Sequence, residues 1–131
     1  MAGRPDALQE LSTGRLGVTG YRAGGFRIGA QWYNGHVLLL PRGVTAWPVQ
    51  SAEAIDLDSL LPIREVEPPA EILLIGVGER PLLLPGELRL ALKAWGLAVE
   101  AMPTSAACRT FNVLLAEERR VVAALLAIED V

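Results

Sequence analysis

The segment PTSAACRTFN, residues 103–112, contains the only cysteine of the chain, Cys108, with Arg109 beside it. Thr104 or Ser105 could cap a helix that begins here, which would place Cys108 in its first or second turn. Free N–H groups at a helix start and a neighbouring guanidinium both favour a thiolate. The spacing therefore allows a reactive cysteine.

The same helix also offers a structural explanation for Cys108. Its apolar residues recur at helical spacing and form one stripe, and Cys108 lies next to that stripe. Unpaired cysteine is among the residue types most often found buried. We therefore favour a structural thiol and keep a thiol-using site as the alternative. The stripe consists of Ala107, Phe111, Leu114 and Leu115.

Partners for a catalytic thiol or a metal ion are scarce in this chain. A cysteine nucleophile usually needs a base, and the only histidine, His36, lies in the other half of the chain. We expect His36 to be a solvent-facing strand residue. One histidine and one cysteine fall short of the three or four ligands of a zinc site. We predict no catalytic residues, no metal and no cofactor.

The segment IGVGERP, residues 75–81, follows an apolar run and contains Gly76 and Gly78. In a dinucleotide-binding fingerprint the glycine loop has a third glycine and opens directly into a helix, and neither holds here. Glycines that allow a tight turn at a strand end are the better explanation. Because ligands bind at the carboxyl ends of parallel strands, we expect any pocket at this loop, with Arg80 and residues 102–105.

A short polar segment, EERR at residues 117–120, precedes the last apolar run of the chain. Exposed pairs of Glu and Arg are worth about 0–1 kcal/mol each. We therefore interpret this segment as a solvated turn rather than a binding site.

The second half of the chain alternates predicted strands and helices. The apolar runs EILLIGVG, LAVEAM and VVAALLAI predict strands, and the first of them is expected to be buried on both faces. Helices are predicted in PGELRLALKAWG, with Pro85 in its first turn and Gly96 as its stop, and from residue 103 to about residue 117. This β-α-β-α-β order predicts parallel neighbouring strands joined by right-handed crossovers.

The first half, residues 18–49, is rich in glycine, aromatic and β-branched residues and predicts a β-meander. One turn is expected at AGG, residues 23–25. Another is expected at Asn34-Gly35, a two-residue hairpin, because both central residues of a type I′ turn need positive φ.

A short helix with an aspartate cap is predicted over residues 56–61, ending before Pro62. We expect residues 1–17 to form a flexible arm and residues 18–131 to form a single domain. The predicted fold is a three-layer α/β domain with a mixed, partly parallel sheet, in which the meander extends or covers the β-α-β-α-β unit.

Composition excludes several classes of partner. The net charge is formally −3, without a basic stripe, so nucleic acid is not expected as a partner. No apolar run approaches the roughly 20 residues that span a bilayer, and the first residues match no targeting signal. A single cysteine fits a reducing compartment. We expect a cytoplasmic protein whose excess apolar surface could be covered in a homodimer.

Three segments, EILLIGVGERP, GLAVEAMPTSAACRTFNVL and EERRVVAAL, occur in this order and spacing. Together they resemble a domain-of-unknown-function family that includes mitochondrial complex I (NADH dehydrogenase) assembly factor 3 and the adipogenesis-associated proteins. The resemblance covers about residues 18–128, and Arg119 departs from it by standing where glycine is usual. The residues that match the family motifs are Gly76, Gly78, Arg80, Thr104, Ala107, Cys108, Thr110, Asn112, Leu114, Glu118 and Arg120.

The resemblance implies a three-layer α/β fold and no established catalytic residues. Because the mitochondrial relatives act as assembly factors, it also implies protein subunits of a membrane respiratory complex as partners, met at the membrane face. Our first hypothesis is a non-enzymatic interaction factor. The second is a small-molecule binder or thiol-using enzyme with a site at the Gly76–Arg80 loop, Thr104 and Cys108, to which Arg109 would contribute.

Overall fold

The computed structural model describes residues 15–129. Its strands are β1 (Val18–Arg22), β2 (Gly25–Ile28), β3 (Gln31–Asn34), β4 (Val37–Leu40), β5 (Gly43–Ala46), β6 (Ile72–Gly76), β7 (Ala98–Met102) and β8 (Val121–Leu125). Its α-helices are α1 (Leu61–Arg64), α2 (Gly86–Ala94) and α3 (Thr104–Ala116). Short 3₁₀ helices span Ala52–Ala54 and Asp58–Leu60. Most of the predicted arm, residues 1–14, lies outside the described residues, so the arm stays a prediction.

Strands β6 and β8 form the centre of the larger sheet, whose strand order is β5-β4-β8-β6-β7. Strand β6 runs parallel to both β7 and β8, whereas β4 runs antiparallel to β5 and β8. Every residue of β6 and β8 is buried, as expected for apolar strands that are covered on both faces. The predicted mixed sheet and the β-α-β-α-β unit are confirmed.

Two apolar clusters cover opposite faces of this sheet, because successive side chains of a strand point to opposite sides. The first joins β6 to helix α2 through Leu73, Ile75, Leu88 and Leu92. The second joins β6 to helix α3 through Ile72, Leu74, Ala107, Phe111 and Leu115. The three layers predicted from the order of elements are therefore present.

Strands β1, β2 and β3 form a separate antiparallel sheet. The turn expected at residues 23–25 joins β1 to β2, and Gly24 has a φ of 81°. Phe26 and Ile28 of β2 are buried in the cluster around helix α3. The small sheet thus covers the same face as α3, while β4 and β5 extend the larger sheet.

The hairpin predicted at Asn34-Gly35 is wrong. Asn34 ends β3 and pairs with Gly25 of β2, whereas the next strand, β4, pairs with β5 and β8. Gly35 has a φ of 89°, but Asn34 has no positive φ, so the two do not form a type I′ turn. The Gly35 N–H donates to the Gly24 carbonyl oxygen at 2.7 Å. The chain therefore passes from one sheet to the other at this point.

The short helix predicted at residues 56–61 begins as expected but ends later. The Ser59 N–H donates to Oδ1 of Asp56 at 2.9 Å, so the aspartate bonds to the first turn as predicted, although the cap position is held by Leu57. The 3₁₀ helix Asp58–Leu60 then leads into α1, where Pro62 lies in the first turn. Proline is tolerated there because a first-turn N–H has no acceptor within the helix. The predicted stop before Pro62 is therefore wrong.

Within residues 15–129, no helix has both the length and the hydropathy needed to cross a membrane.

Candidate functional site

The glycine loop begins where strand β6 passes very close to the start of helix α3. A Cβ atom added to Gly76 would lie 3.0 Å from Oγ1 and 3.1 Å from Cα of Thr104. Gly78 has a φ of 95°, a backbone conformation that residues with a Cβ atom rarely adopt. Both glycines therefore have a structural reason that does not depend on a ligand.

Thr104 is fully buried and joins three elements. Its hydroxyl donates to the Leu126 carbonyl oxygen at 2.7 Å and accepts from the Gly78 N–H at 2.9 Å. Its own N–H donates to the Gly78 carbonyl oxygen at 2.8 Å. We call this set of contacts among Gly76, Gly78, Thr104 and Leu126 the threonine junction.

Neither Thr104 nor Ser105 caps helix α3, contrary to the prediction. The residue at the cap position is Pro103, and no side chain accepts a hydrogen bond from the first turn. Thr104 is the first helical residue, and its hydroxyl is already engaged with the Gly78 N–H and the Leu126 carbonyl oxygen. The Thr104 hydroxyl therefore bonds to residues distant in sequence and does not cap the helix.

A cleft of ≈ 460 Å³ lies beside this junction, at the carboxyl ends of β6 and β8. Gly78 and Arg80 line it, whereas residues 102–105 do not. The other lining residues include the segment after β8 and the first 3₁₀ helix, which sequence reasoning missed because only long-range folding brings them here. These missed residues are Gln50, Ser51, Ala52, Glu53, Leu126, Ala127, Ile128 and Glu129.

The charge of the cleft does not favour an anion. Its lining contains three carboxylates, of Glu53, Glu79 and Glu129, against the single guanidinium of Arg80. A phosphate group would meet net negative charge there. This agrees with the absence of a complete dinucleotide fingerprint in the sequence.

His36 also lines the cleft, and the expectation that it faces solvent from a strand is wrong. It is half-buried just before β4, and its Nδ1 accepts the Ala127 N–H at 2.9 Å. Burial lowers the pKa of His36, and the nearby carboxylate of Glu129 opposes that shift to a smaller extent. The imidazole is therefore neutral near pH 7 and fixes the segment after β8.

Cys108 does not line this cleft. Its side chain is buried in the cluster between α3 and the sheet, and burial raises the pKa of the thiol to about 12, against a smaller opposing effect of Arg109. A thiolate is thus not populated at neutral pH. The structure favours the structural interpretation of Cys108 and does not bring the thiol together with His36 or the glycine loop at one site.

Asn112 connects helix α3 to the small sheet. Its Oδ1 accepts the Val18 N–H and its Nδ2 donates to the Val18 carbonyl oxygen, both at 2.8 Å. The amide therefore occupies both backbone groups of a β1 residue, as a neighbouring strand would. Arg109, on the same helix, is exposed.

The segment 117–120 is exposed, and its arginines pair outside the segment. The guanidinium of Arg120 lies 3.0 Å from the Glu71 carboxylate and donates from Nε to the Pro69 carbonyl oxygen at 2.8 Å, while Arg119 lies 3.6 Å from the same carboxylate. A positive φ of 62° occurs at Glu118 rather than at Arg119. These contacts fix the chain as it enters β8.

No group of three or more His, Cys, Asp or Glu residues in the described part of the chain is arranged to hold a metal ion.

Comparison with known proteins gives a consistent result. Residues 18–126 match the family model described as "Protein of unknown function (DUF498/DUF598)". A Drosophila melanogaster protein named NADH dehydrogenase [ubiquinone] 1 alpha subcomplex assembly factor 3 is 39% identical over 85% of this chain and 58% of its own length. Its Homo sapiens counterpart is 35% identical over 94% of this chain and 67% of its own length.

A crystal structure described as an outer membrane protein from Bartonella henselae has the same fold, with a TM-score of 0.82. It is 36% identical, and the match covers 88% of this chain and 97% of that one. The chain spans a little under six tenths of the length of the Drosophila melanogaster relative. From the matched segment and these identities, the chain belongs to the DUF498/DUF598 family.

Proposed function

We propose that this protein is a non-enzymatic interaction factor that assists assembly of a respiratory NADH dehydrogenase. The observation that carries this proposal is the 35–39% identity to proteins named as assembly factors for that enzyme, over most of this chain. Those relatives are longer than the matched segment, so the proposal concerns the shared domain.

The surface supports a role in binding other proteins. Several large apolar side chains are exposed, most of all Leu83 at 83% and Leu90 at 70%. Leu83 follows the glycine loop, and Leu90 lies on helix α2. Burying such side chains against a partner stabilises a complex by about 25 cal/mol for each Å² of apolar surface. The proposed partners are protein subunits, met at the cytoplasmic face of the membrane.

The environment of Cys108 supports a non-enzymatic role over a thiol-using one. Its thiol is buried, and a pKa of about 12 leaves it protonated under physiological conditions. A nucleophilic cysteine instead needs a depressed pKa and access to substrate.

The test is cross-linked affinity purification from the native host, with membrane and soluble fractions kept separate and read by mass spectrometry. We expect enrichment of NADH dehydrogenase subunits, and a lower level of assembled enzyme when the gene is deleted. Failure to enrich them, under conditions that recover a known weak complex, would contradict the proposal.

Complementation with Cys108→Ala provides the matched control. If the protein acts without thiol chemistry, this variant restores the assembled enzyme to the level that the wild type restores at equal protein abundance. Loss of assembly in a folded, equally abundant Cys108→Ala protein would instead support the thiol-using alternative.

A further inference from the structure

Strand β7 is an edge of the larger sheet, and no strand within residues 15–129 pairs with its outer side. The Ala98 N–H donates to the Glu71 carbonyl oxygen at 2.8 Å, and the Met102 carbonyl oxygen accepts the Val77 N–H at 2.9 Å. These residues therefore direct their backbone groups towards β6. Because successive residues of a strand alternate in direction, the backbone groups of Val99 and Ala101 point away from the sheet.

Of the features that usually block strand addition, this edge has the charge of Glu100 but neither a bulge nor a proline. Strand β7 pairs with β6 in unbroken register over all five of its residues and contains neither proline nor lysine. Edge strand β1, by contrast, has an irregular register between Val18 and Gly20, and the Asn112 amide occupies both backbone groups of Val18. Strand β7 is thus the more regular template of the two.

The two sides of the β7 edge differ in charge. On the side of helix α2, a groove of ≈ 610 Å³ adjoins the first two residues of β7, Ala98 and Val99, and its charged and exposed apolar lining consists of Glu71, Arg89, Leu90 and Lys93. Neither basic residue has an ion-pair partner among the described residues. Leu90 adds an exposed apolar side chain. Because the Glu71 carboxylate already pairs with Arg119 and Arg120, the groove beside Val99 suits apolar and acidic groups.

The opposite side carries a negative charge. Val99 and Ala101 pack against the cluster that includes α2, and Met102 packs against the cluster that includes α3. Glu100 therefore points to the α3 side, and it is exposed. A residue added opposite Glu100 would be favoured if it were basic, since opposite charges stabilise cross-strand pairs.

We propose that the β7 edge binds an extended segment of a partner protein as an additional strand, with a basic residue opposite Glu100 and an apolar or acidic residue opposite Val99. Paired residues share a face of the sheet, so the side chain opposite Val99 would contact Leu90 and the basic groups of α2. The outward N–H and C=O groups of Val99 and Ala101 would supply the main-chain hydrogen bonds of this recognition mode. The identity of the partner as an assembly client rests on the proposed function.

The charge at Glu100 argues for a partner of different sequence rather than a second copy of this chain. Antiparallel pairing of β7 with itself about its central residue would place two Glu100 side chains directly opposite each other. Like charges in that position are destabilising. Self-association through β7 is therefore expected to be weaker than binding of the segment described above.

A displayed library of random peptides of about ten residues, long enough to cover a strand of ordinary length, tests the edge without any natural partner. We expect selection on the folded protein to enrich peptides with a basic residue next to an apolar or acidic one. Ala101→Pro should weaken their binding about tenfold or more, since it removes an outward donor and obstructs the edge. The variant keeps every hydrogen bond to β6, because the Ala101 N–H points outward, so it should fold.

Glu100→Lys provides an independent test in an exposed position. It should change the selected central residue from basic to acidic while leaving circular dichroism unchanged. The inference is overturned if selection enriches no peptides, if enriched peptides bind Ala101→Pro as tightly as the wild type, or if the charge reversal leaves their preference unchanged. It is also overturned if the wild type dimerises in sedimentation experiments and Ala101→Pro abolishes the dimer.

The assembly role and strand binding at the β7 edge can be contradicted separately. If purification recovers NADH dehydrogenase subunits equally with the wild type and with Ala101→Pro, the edge is not their docking site and the assembly role stands. If purification recovers no such subunits but the library yields the predicted peptides, the edge binds strands and the assembly role fails.

Discussion

The threonine junction and the β7 edge belong to the same sheet but differ in how many of their backbone N–H and C=O groups are hydrogen-bonded. At the junction, the Gly78 N–H, the Gly78 carbonyl oxygen and the Leu126 carbonyl oxygen all bond to Thr104, and Gly76 leaves no room for a methyl group. At the edge, Val99 and Ala101 offer backbone groups to no described partner. The comparison indicates that the motif residues at the junction maintain the architecture, whereas the outer side of β7 has no strand partner within the described residues.

The largest loss in the free energy of unfolding is expected from Gly76→Val. The new side chain would overlap Thr104, because even a Cβ atom lies 3.0 Å from its Oγ1. We expect the free energy of unfolding to fall by about 3 kcal/mol, which urea denaturation measures. The matched control is Gly86→Ala, where no atom lies within 4 Å, and which should gain about 0.5–1 kcal/mol at the start of α2. Equal stability of both variants would show that the junction is not closely packed.

Thr104→Val keeps the shape of the side chain and removes the hydroxyl. The Gly78 N–H and the Leu126 carbonyl oxygen would lose their partner in a buried site, so we expect a loss of about 2 kcal/mol in the free energy of unfolding. Thr104→Ser retains the hydroxyl and should cost about 1 kcal/mol through the lost methyl group. A larger loss for serine than for valine would show that packing, and not hydrogen bonding, determines the stability of the junction.

Cys108 gives the fold a dependence on alkaline pH. The folded thiol has a pKa of about 12 against 9.0 in the unfolded chain, so the folded state retains a proton that the unfolded state loses. Stability is therefore complete below pH 9 and decreases between pH 9 and pH 12. From pH 8 to pH 10 we expect this group alone to lower the free energy of unfolding by about 1.4 kcal/mol. Subtracting the profile of Cys108→Ala isolates this contribution, and identical profiles would contradict it.

The smallest change in the free energy of unfolding is expected at the β7 edge. Glu100→Lys should change the free energy of unfolding by less than about 0.5 kcal/mol, because the side chain is exposed and no ion pair among the described residues involves it. Thermal or urea denaturation at matched ionic strength measures this change. A loss comparable to that of Thr104→Val would show that the edge, like the junction, is part of the structural core.

The sequence predicted those elements whose signals are local. The apolar run of β6 and the stop at Gly96, with a φ of 90°, needed only neighbouring residues, and both are confirmed. The hydrogen bond of Asp56 to the turn that follows it was likewise a local signal, although Leu57 holds the cap position. These signals act within a few residues and do not depend on which strands become neighbours.

The errors came from pairings between distant residues. Gly35 does have positive φ, but the strands that flank it belong to different sheets, since β4 pairs with β8 near the other end of the described chain. His36 was similarly expected to be exposed, because its hydrogen-bond donor, the Ala127 N–H, lies far from it in sequence. Among the candidate site residues, the role of Asn112 also needed the structure, because Val18 lies far from it in sequence.

The position of β8 in the sheet has a consequence for synthesis on the ribosome. Strands β4 and β6 flank β8 but do not pair with each other, so two parts of the sheet remain separate until residues 121–125 emerge. Until then, the inner sides of β4 and β6 are unpaired apolar edges of the kind that associate with other chains. The nascent protein therefore depends on prompt arrival of β8, which is made after the other seven strands that the structure describes.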